Sequence, residues 1–171
     1  MRRRLLALGT LLAALALTAT VPTIAGAKTD ELLKVQGMVG VPAGLAGPTG
    51  AIGSINGAGL PWVIGPAKAV LSVDGSFELK FNDLLFDPND PNVPANLRGT
   101  NTQASMQAGV SCLTTTGTRV AALTGTFPVT TGVGAGDGHV EATLTLPSPC
   151  IAPIVLITNA PGAAWFAASG N

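Results

Sequence analysis

Gln103-Ala104-Ser105-Met106-Gln107-Ala108-Gly109-Val110-Ser111-Cys112 alternates small or apolar side chains with polar ones, with Gly109 alone departing from the polar parity. Successive side chains of a strand point to opposite faces. The spacing therefore predicts a strand with Ala104, Met106, Ala108, Val110 and Cys112 on a dry face and Gln103, Ser105, Gln107 and Ser111 on a wet one. The same period recurs on both sides of it. Leu33, Val35, Val39 and Val41 share one parity, with Lys34 and Gln36 on the other. Ala69, Leu71 and Val73 alternate with Lys68, Ser72 and Asp74, and Phe77, Leu79 and Phe81 with Ser76, Glu78, Lys80 and Asn82. Val140, Ala142, Leu144 and Leu146 alternate with Glu141, Thr143 and Thr145. Strands with one dry face belong to antiparallel sheets. Ile154-Val155-Leu156-Ile157 is apolar on both parities and predicts a central strand or one covered on both sides. Residues 118–127 are β-rich with no settled facing, and residues 164–168, around Trp165 and Phe166, predict a final strand. Beyond residue 27 no long stretch carries helical periodicity with caps, so little helix is expected.

Many short alternating strands with frequent turn signals predict an all-β chain. Within that class they predict an antiparallel β-sandwich, Ig-like or Greek-key, of about seven to nine strands, with a β-barrel as the alternative. One hairpin can be read in register. Asp74-Gly75 lies between two alternating runs and invites a two-residue turn. Directly paired residues share a face, and that turn sets Leu71 opposite Glu78 and Val73 opposite Ser76, so parity excludes it. A three-residue loop, Val73-Asp74-Gly75 with Gly75 left-handed in a bulge, sets Leu71 opposite Phe77 and Ala69 opposite Leu79.

Two long loops are expected. In residues 42–59, Gly44, Gly47, Gly50 and Gly53 recur at the spacing of a collagen triplet. The repeat is too short and too poor in proline for a triple helix, which leaves a flexible glycine-rich loop. Residues 83–101 contain Asp87-Pro88-Asn89-Asp90-Pro91-Asn92, and Asx-Pro pairs start turns.

The N-terminus sets the compartment. Met1-Arg2-Arg3-Arg4 precedes an apolar run from Leu5 to Leu17, then Pro22 and Ala25-Gly26-Ala27. Positive charge, a short apolar run and small residues at Ala25 and Ala27 read as a signal peptide, residues 1–27, cleaved after Ala27. The run is shorter than the ~20 apolar residues of a bilayer span. A twin-arginine route is the alternative to the general one. Residues 28–171 then form a single exported domain, expected in the extracellular space. Loss of Arg2, Arg3 and Arg4 leaves six basic residues against nine acidic ones, a net charge of −3. No stripe of Lys and Arg remains to neutralise phosphates, so nucleic acid and anionic membrane surfaces are disfavoured as partners. No later apolar segment is long enough to span a bilayer. The expected partner is an extracellular or cell-envelope component. Cys112 and Cys150, the two cysteines, are expected to pair, because an exported domain meets an oxidising compartment and Cys112 has core parity.

Few side chains offer chemistry. Asp83, Asp87, Asn89 and Asp90 cluster along the sequence as oxygen donors. They lack the alternating pattern of a calcium loop, and Pro88 and Pro91 restrain them, so a solvated turn is expected. His139, the one histidine, starts an alternating strand on the polar parity beside Glu141. A transition-metal site takes several His or Cys, which makes His139 an exposed strand residue by expectation. Glu78 and Glu141 are the carboxylates to weigh for glycoside hydrolysis. Each also fits the wet face of its own strand, and the chain has two tryptophans and no tyrosine to serve as sugar platforms. No G-x-S-x-G elbow marks a nucleophilic serine, although a Ser/His/Asp triad is assembled in space. Trp62 and Trp165 are expected to pack in the core or at its rim, with ligand stacking as the alternative. The expected site list therefore holds the Cys112 and Cys150 disulfide, with no catalytic residue, cofactor or metal.

Leu60-Pro61-Trp62-Val63-Ile64, Gly109-Val110-Ser111-Cys112, Val140-Glu141-Ala142-Thr143-Leu144 and Cys150-Ile151-Ala152-Pro153-Ile154-Val155-Leu156 resemble a group of uncharacterised secreted bacterial proteins, many of them actinobacterial. The ending Ala167-Ala168-Ser169-Gly170 belongs to the same resemblance. It covers most of residues 28–171 and implies an exported β-rich domain with one disulfide, without naming an activity. The function expected is that of an exported structural or interaction module, not an enzyme, binding through residues 42–59 or 83–101 at the ends of its sheets. A secreted hydrolase with a spatially assembled site and a calcium-dependent surface domain are the alternatives.

Overall fold

The computed structural model describes residues 30–170, and the signal peptide read in residues 1–27 lies outside them. The strands in chain order begin with β1 (Glu31–Val35), β2 (Val39–Gly40), β3 (Gly47–Ile52), β4 (Ile55–Gly57) and β5 (Trp62–Val63). There follow β6 (Ala67–Ser72), β7 (Ser76–Phe81), β8 (Leu85–Phe86), β9 (Thr100–Asn101), β10 (Ser105–Leu113) and β11 (Arg119–Leu123). The last are β12 (Phe127–Pro128), β13 (Gly132–Val133), β14 (Gly138–Thr143), β15 (Ile151–Asn159) and β16 (Ala164–Ala168). The chain is all-β: nine strands have five residues or more, seven are shorter, and a single 3-10 turn at Ala43–Leu45 is the helical content among the described residues.

Two main sheets share one core. The smaller runs β1-β6-β7-β14, and the larger follows β11-β10-β15-β16-β4-β3, with β12 also on β10 and β2 also on β16. Neighbours are antiparallel except β4, which runs parallel to β16. Leu71, Leu79 and Phe81 of the smaller sheet and Met106, Val110 and Val155 of the larger belong to one buried cluster.

The hairpin of β6 and β7 has the loop that parity demands. Leu71 pairs with Phe77 and Ala69 with Leu79. Gly75 has φ +86°, its N–H donates to the Ser72 carbonyl at 3.0 Å, and Asp74 Oδ1 accepts the Ser76 N–H at 2.9 Å. A Cβ on Gly75 would collide with the Leu144 carbonyl, so glycine is required there both by conformation and by space.

Four sequence readings are corrected by tertiary structure. The run from Leu33 to Val41 is not one strand: β1 pairs with β6 in the smaller sheet, whereas β2 pairs with β16 in the larger. Crossing between layers at Gln36 and Gly37 flips the parity, burying Met38 and leaving Val39 63% exposed. Ala104 precedes β10 and is exposed. On β10 the expected wet face is dry at Gly109 and Ser111, because the larger sheet curls. Arg119 lies on β11 at one end of its strand path, and the position of a Cβ on Gly53, in the β3–β4 turn at the other end, is 3.2 Å from Arg119 Cβ. The Arg119 guanidinium donates to the carbonyls of Ser111 and Ala152, both at 3.1 Å.

The fourth correction concerns residues 42–59, which form the hairpin of β3 and β4 and not a flexible loop. Of the triplet glycines, Gly50 has a packing reason. A Cβ on Gly50 or on the neighbouring Gly57 would collide with the Leu45 carbonyl, so the 3-10 turn lies directly on the backbone of the hairpin. By contrast, β15 confirms its two-sided apolar pattern: it is central, between β10 and β16, and Val155 to Thr158 are all buried.

Candidate functional site

The wet face of the smaller sheet gathers the residues that sequence considered separately. Paired residues of adjacent strands share a face. Glu78 of β7 pairs with Glu141 of β14, and Lys80 with His139. On the other side of β7, Lys80 pairs with Lys68 and Glu78 with Val70 of β6. On β1, Lys34 pairs with Val70, so Lys68, Lys80 and His139 lie in one row and Lys34, Val70, Glu78 and Glu141 in the next. His139 Nε2 lies 3.6 Å from Glu78 Oε1 and 3.6 Å from Glu141 Oε1. These three form the one group of three or more His, Cys, Asp or Glu side chains that converge among the described residues. A shallow depression of about 520 Å³ adjoins the two carboxylates and is bordered by Ser72, Ser76 and Thr143. Each residue sits where its parity put it. What sequence could not supply was the β7–β14 register, which joins segments separated by more than fifty positions.

This geometry bears on the hydrolase alternative. Glu78 and Glu141 do meet, as a glycosidase pair must. They stand on an open sheet face, with side chains 59% and 73% exposed. A general acid needs shelter from water to hold its proton at neutral pH. The tryptophans are elsewhere and buried. Trp62 packs between Phe86 and Phe166, with ring centroids 4.1 and 4.6 Å away, and Trp165 donates from Nε1 to the Gly50 carbonyl at 2.8 Å. Both tryptophans pack, as expected.

In residues 83–101 the carboxylates of Asp83, Asp87 and Asp90 do not converge as a group. Asp87 Oδ1 accepts the Asn89 N–H at 2.8 Å, and Asp90 Oδ1 accepts the Asn92 N–H at 2.8 Å and its side-chain amide at 2.9 Å. The carboxylates thus close local Asx turns. Leu84 and Val93 are fully buried, which anchors the segment to the core, and β8 and β9 give it ladder partners in β5 and β13.

A second concave surface lies where β3 and the 3-10 turn meet β2 and β16. It encloses about 380 Å³, with Val39, Pro42, Leu45, Ile52, Trp165 and Ala168 among its lining residues and no charged side chain. Val39 and Leu45 (41% exposed) present apolar surface to solvent there. Residues 42–59 supply half of this lining, so the segment marked as a candidate binding loop contributes a built surface.

Cys112 and Cys150 form the expected disulfide, with Cα atoms 4.9 Å apart and a sequence separation of 38. It ties β10 to the start of β15. No described helix is long and apolar enough to cross a membrane. Comparison of the chain with protein-family models, with curated proteins and with solved structures gave no match.

Proposed function

We propose that this protein is an exported interaction module that binds an extracellular or cell-envelope partner and performs no reaction of its own. The observation that carries this is the apolar concavity around Leu45. Val39 and Leu45 present apolar side chains to solvent within one concavity, and concave, mostly apolar surfaces are where ligands and partner segments dock. Its lining has no charged side chain, so a charged group placed there loses hydration without a counter-charge. The fitting occupant is therefore an uncharged, apolar segment of the partner. The concavity rests on fixed backbone, since Leu45 packs on Gly50 and Gly57 and Trp165 holds the Gly50 carbonyl. Residues 83–101 are the lesser candidate, because their apolar side chains face inward and their carboxylates serve their own turns.

Co-sedimentation of residues 28–171 with washed cell envelopes of the source organism tests this. Leu45→Ser with Val39→Ser is expected to weaken retention tenfold or more while the thermal transition stays in place. Retention indifferent to both changes, or turnover of an ester, peptide or glycan that disappears on Glu78→Gln or Glu141→Gln, defeats the proposal.

A further inference from the structure

The smaller sheet contains an arrangement that costs stability as it stands. Like charges directly opposite each other across a ladder repel, and this face has two such pairs side by side, Glu78 with Glu141 and Lys68 with Lys80. The carboxylate pair does not resolve itself through ordinary contacts. His139 Nε2 is equidistant from one oxygen of each carboxylate at 3.6 Å, beyond the range of about 2.7–3.2 Å in which an N–H···O hydrogen bond forms. It is close to another spacing. A tetrahedral ion held at about 2.0–2.2 Å by nitrogen and oxygen donors sets neighbouring donors about 3.4 Å apart.

We propose that Glu78, His139 and Glu141 form a surface site for a divalent transition-metal ion of the zinc class, with one oxygen of each carboxylate and His139 Nε2 as ligands. The donor set fits that class. Imidazole selects zinc, nickel or copper over calcium and magnesium, which take oxygen donors. Three protein ligands leave coordination open, and the exposure of all three side chains leaves the open position to water or a ligand group. The ion neutralises the Glu78–Glu141 pair, so it also removes a repulsion that the register imposes. Lys80, opposite His139, Lys68 beyond it and Lys34, in the row of Glu78 on the far side of Val70, are cations on this face, and they set the affinity below that of a buried site.

Calorimetric titration of untagged residues 28–171, a chain that includes every described residue, with zinc chloride tests the site. One equivalent is expected to bind saturably, and cobalt(II) is expected to give the visible absorption of four- or five-coordinate cobalt. His139→Ala and Glu141→Gln should each weaken zinc binding at least tenfold, with the metal-free thermal transition not lowered in either and raised in Glu141→Gln, which removes the repulsion, and Lys80→Ala should tighten it. No saturation at millimolar zinc, unchanged affinity in His139→Ala, or calcium binding as tight as zinc overturns the assignment.

Discussion

The two sheets bury their side chains by different rules. In β7 of the smaller sheet the residues alternate strictly: Phe77, Leu79 and Phe81 are buried and Ser76, Glu78 and Lys80 exposed. In β15 of the larger sheet four successive residues, Val155, Leu156, Ile157 and Thr158, are all buried. A flat sheet packed on one side has a wet face, whereas a sheet that curls gives its second face something to pack against. A period of two therefore identifies a strand only when its sheet stays open on one side.

The largest expected effect tests whether the curled sheet depends on its covalent tie. Replacing Cys112 and Cys150 together by Ala opens a 38-position separation, and the chain-entropy relation puts the loss at about 4 kcal/mol, to be read from urea unfolding at constant slope. Packing is probed next. Leu156→Ala and Ile157→Ala, on opposite faces of β15, should each cost about 3 kcal/mol, as should Leu79→Ala on β7, whereas Lys80→Ala should stay within about 0.5 kcal/mol. If one of the β15 pair proves nearly neutral, the sheet is open on that side and the contrast fails. Smaller still is Ser111→Ala. Ser111 Oγ is buried without a hydrogen-bond partner, so its removal should raise stability by about 1 kcal/mol, visible as a higher denaturation midpoint.

The smallest effect belongs to the smaller sheet's turn. The Ser76 backbone N–H, and after it the Ser76 hydroxyl, hold the exposed Asp74 carboxyl below its ordinary value of 3.8. Because the folded-state value is depressed, this contribution is complete above the ordinary carboxylate range and is lost as pH falls through the lowered value. Carboxyl NMR should show Asp74 protonating below pH 3.8 in the folded chain, and titration at or above that value removes the turn from the account.

Much of the smaller sheet was legible because each of its signals is local. Phe77, Leu79 and Phe81 share a parity, and only a three-residue loop keeps Leu71 and Phe77 on one face. The curl was not legible, because it brings Gly53 against Arg119, a long-range proximity that no local pattern encodes. The glycines of residues 42–59 misled for a related reason: Gly50 and Gly57 are fixed by the Leu45 carbonyl above them, and close backbone approach has the same composition as flexibility. At the Glu78, His139 and Glu141 cluster, facing was readable from parity. Proximity followed only from the β7–β14 register.

The parallel pairing of β4 with β16 has a consequence for the order of assembly. Asn56 pairs with Ala164, and the Trp165 indole reaches Gly50 across 115 positions. A chain delivered N-terminus first presents β3 and β4 early, as a hairpin rich in glycine and short of partners. Its neighbour in the sheet is the last strand to arrive. Closing so long a loop costs entropy before any contact offsets it, and topologies of this kind fold slowly. Until β16 emerges, the apolar concavity that β16 and the hairpin build together does not exist.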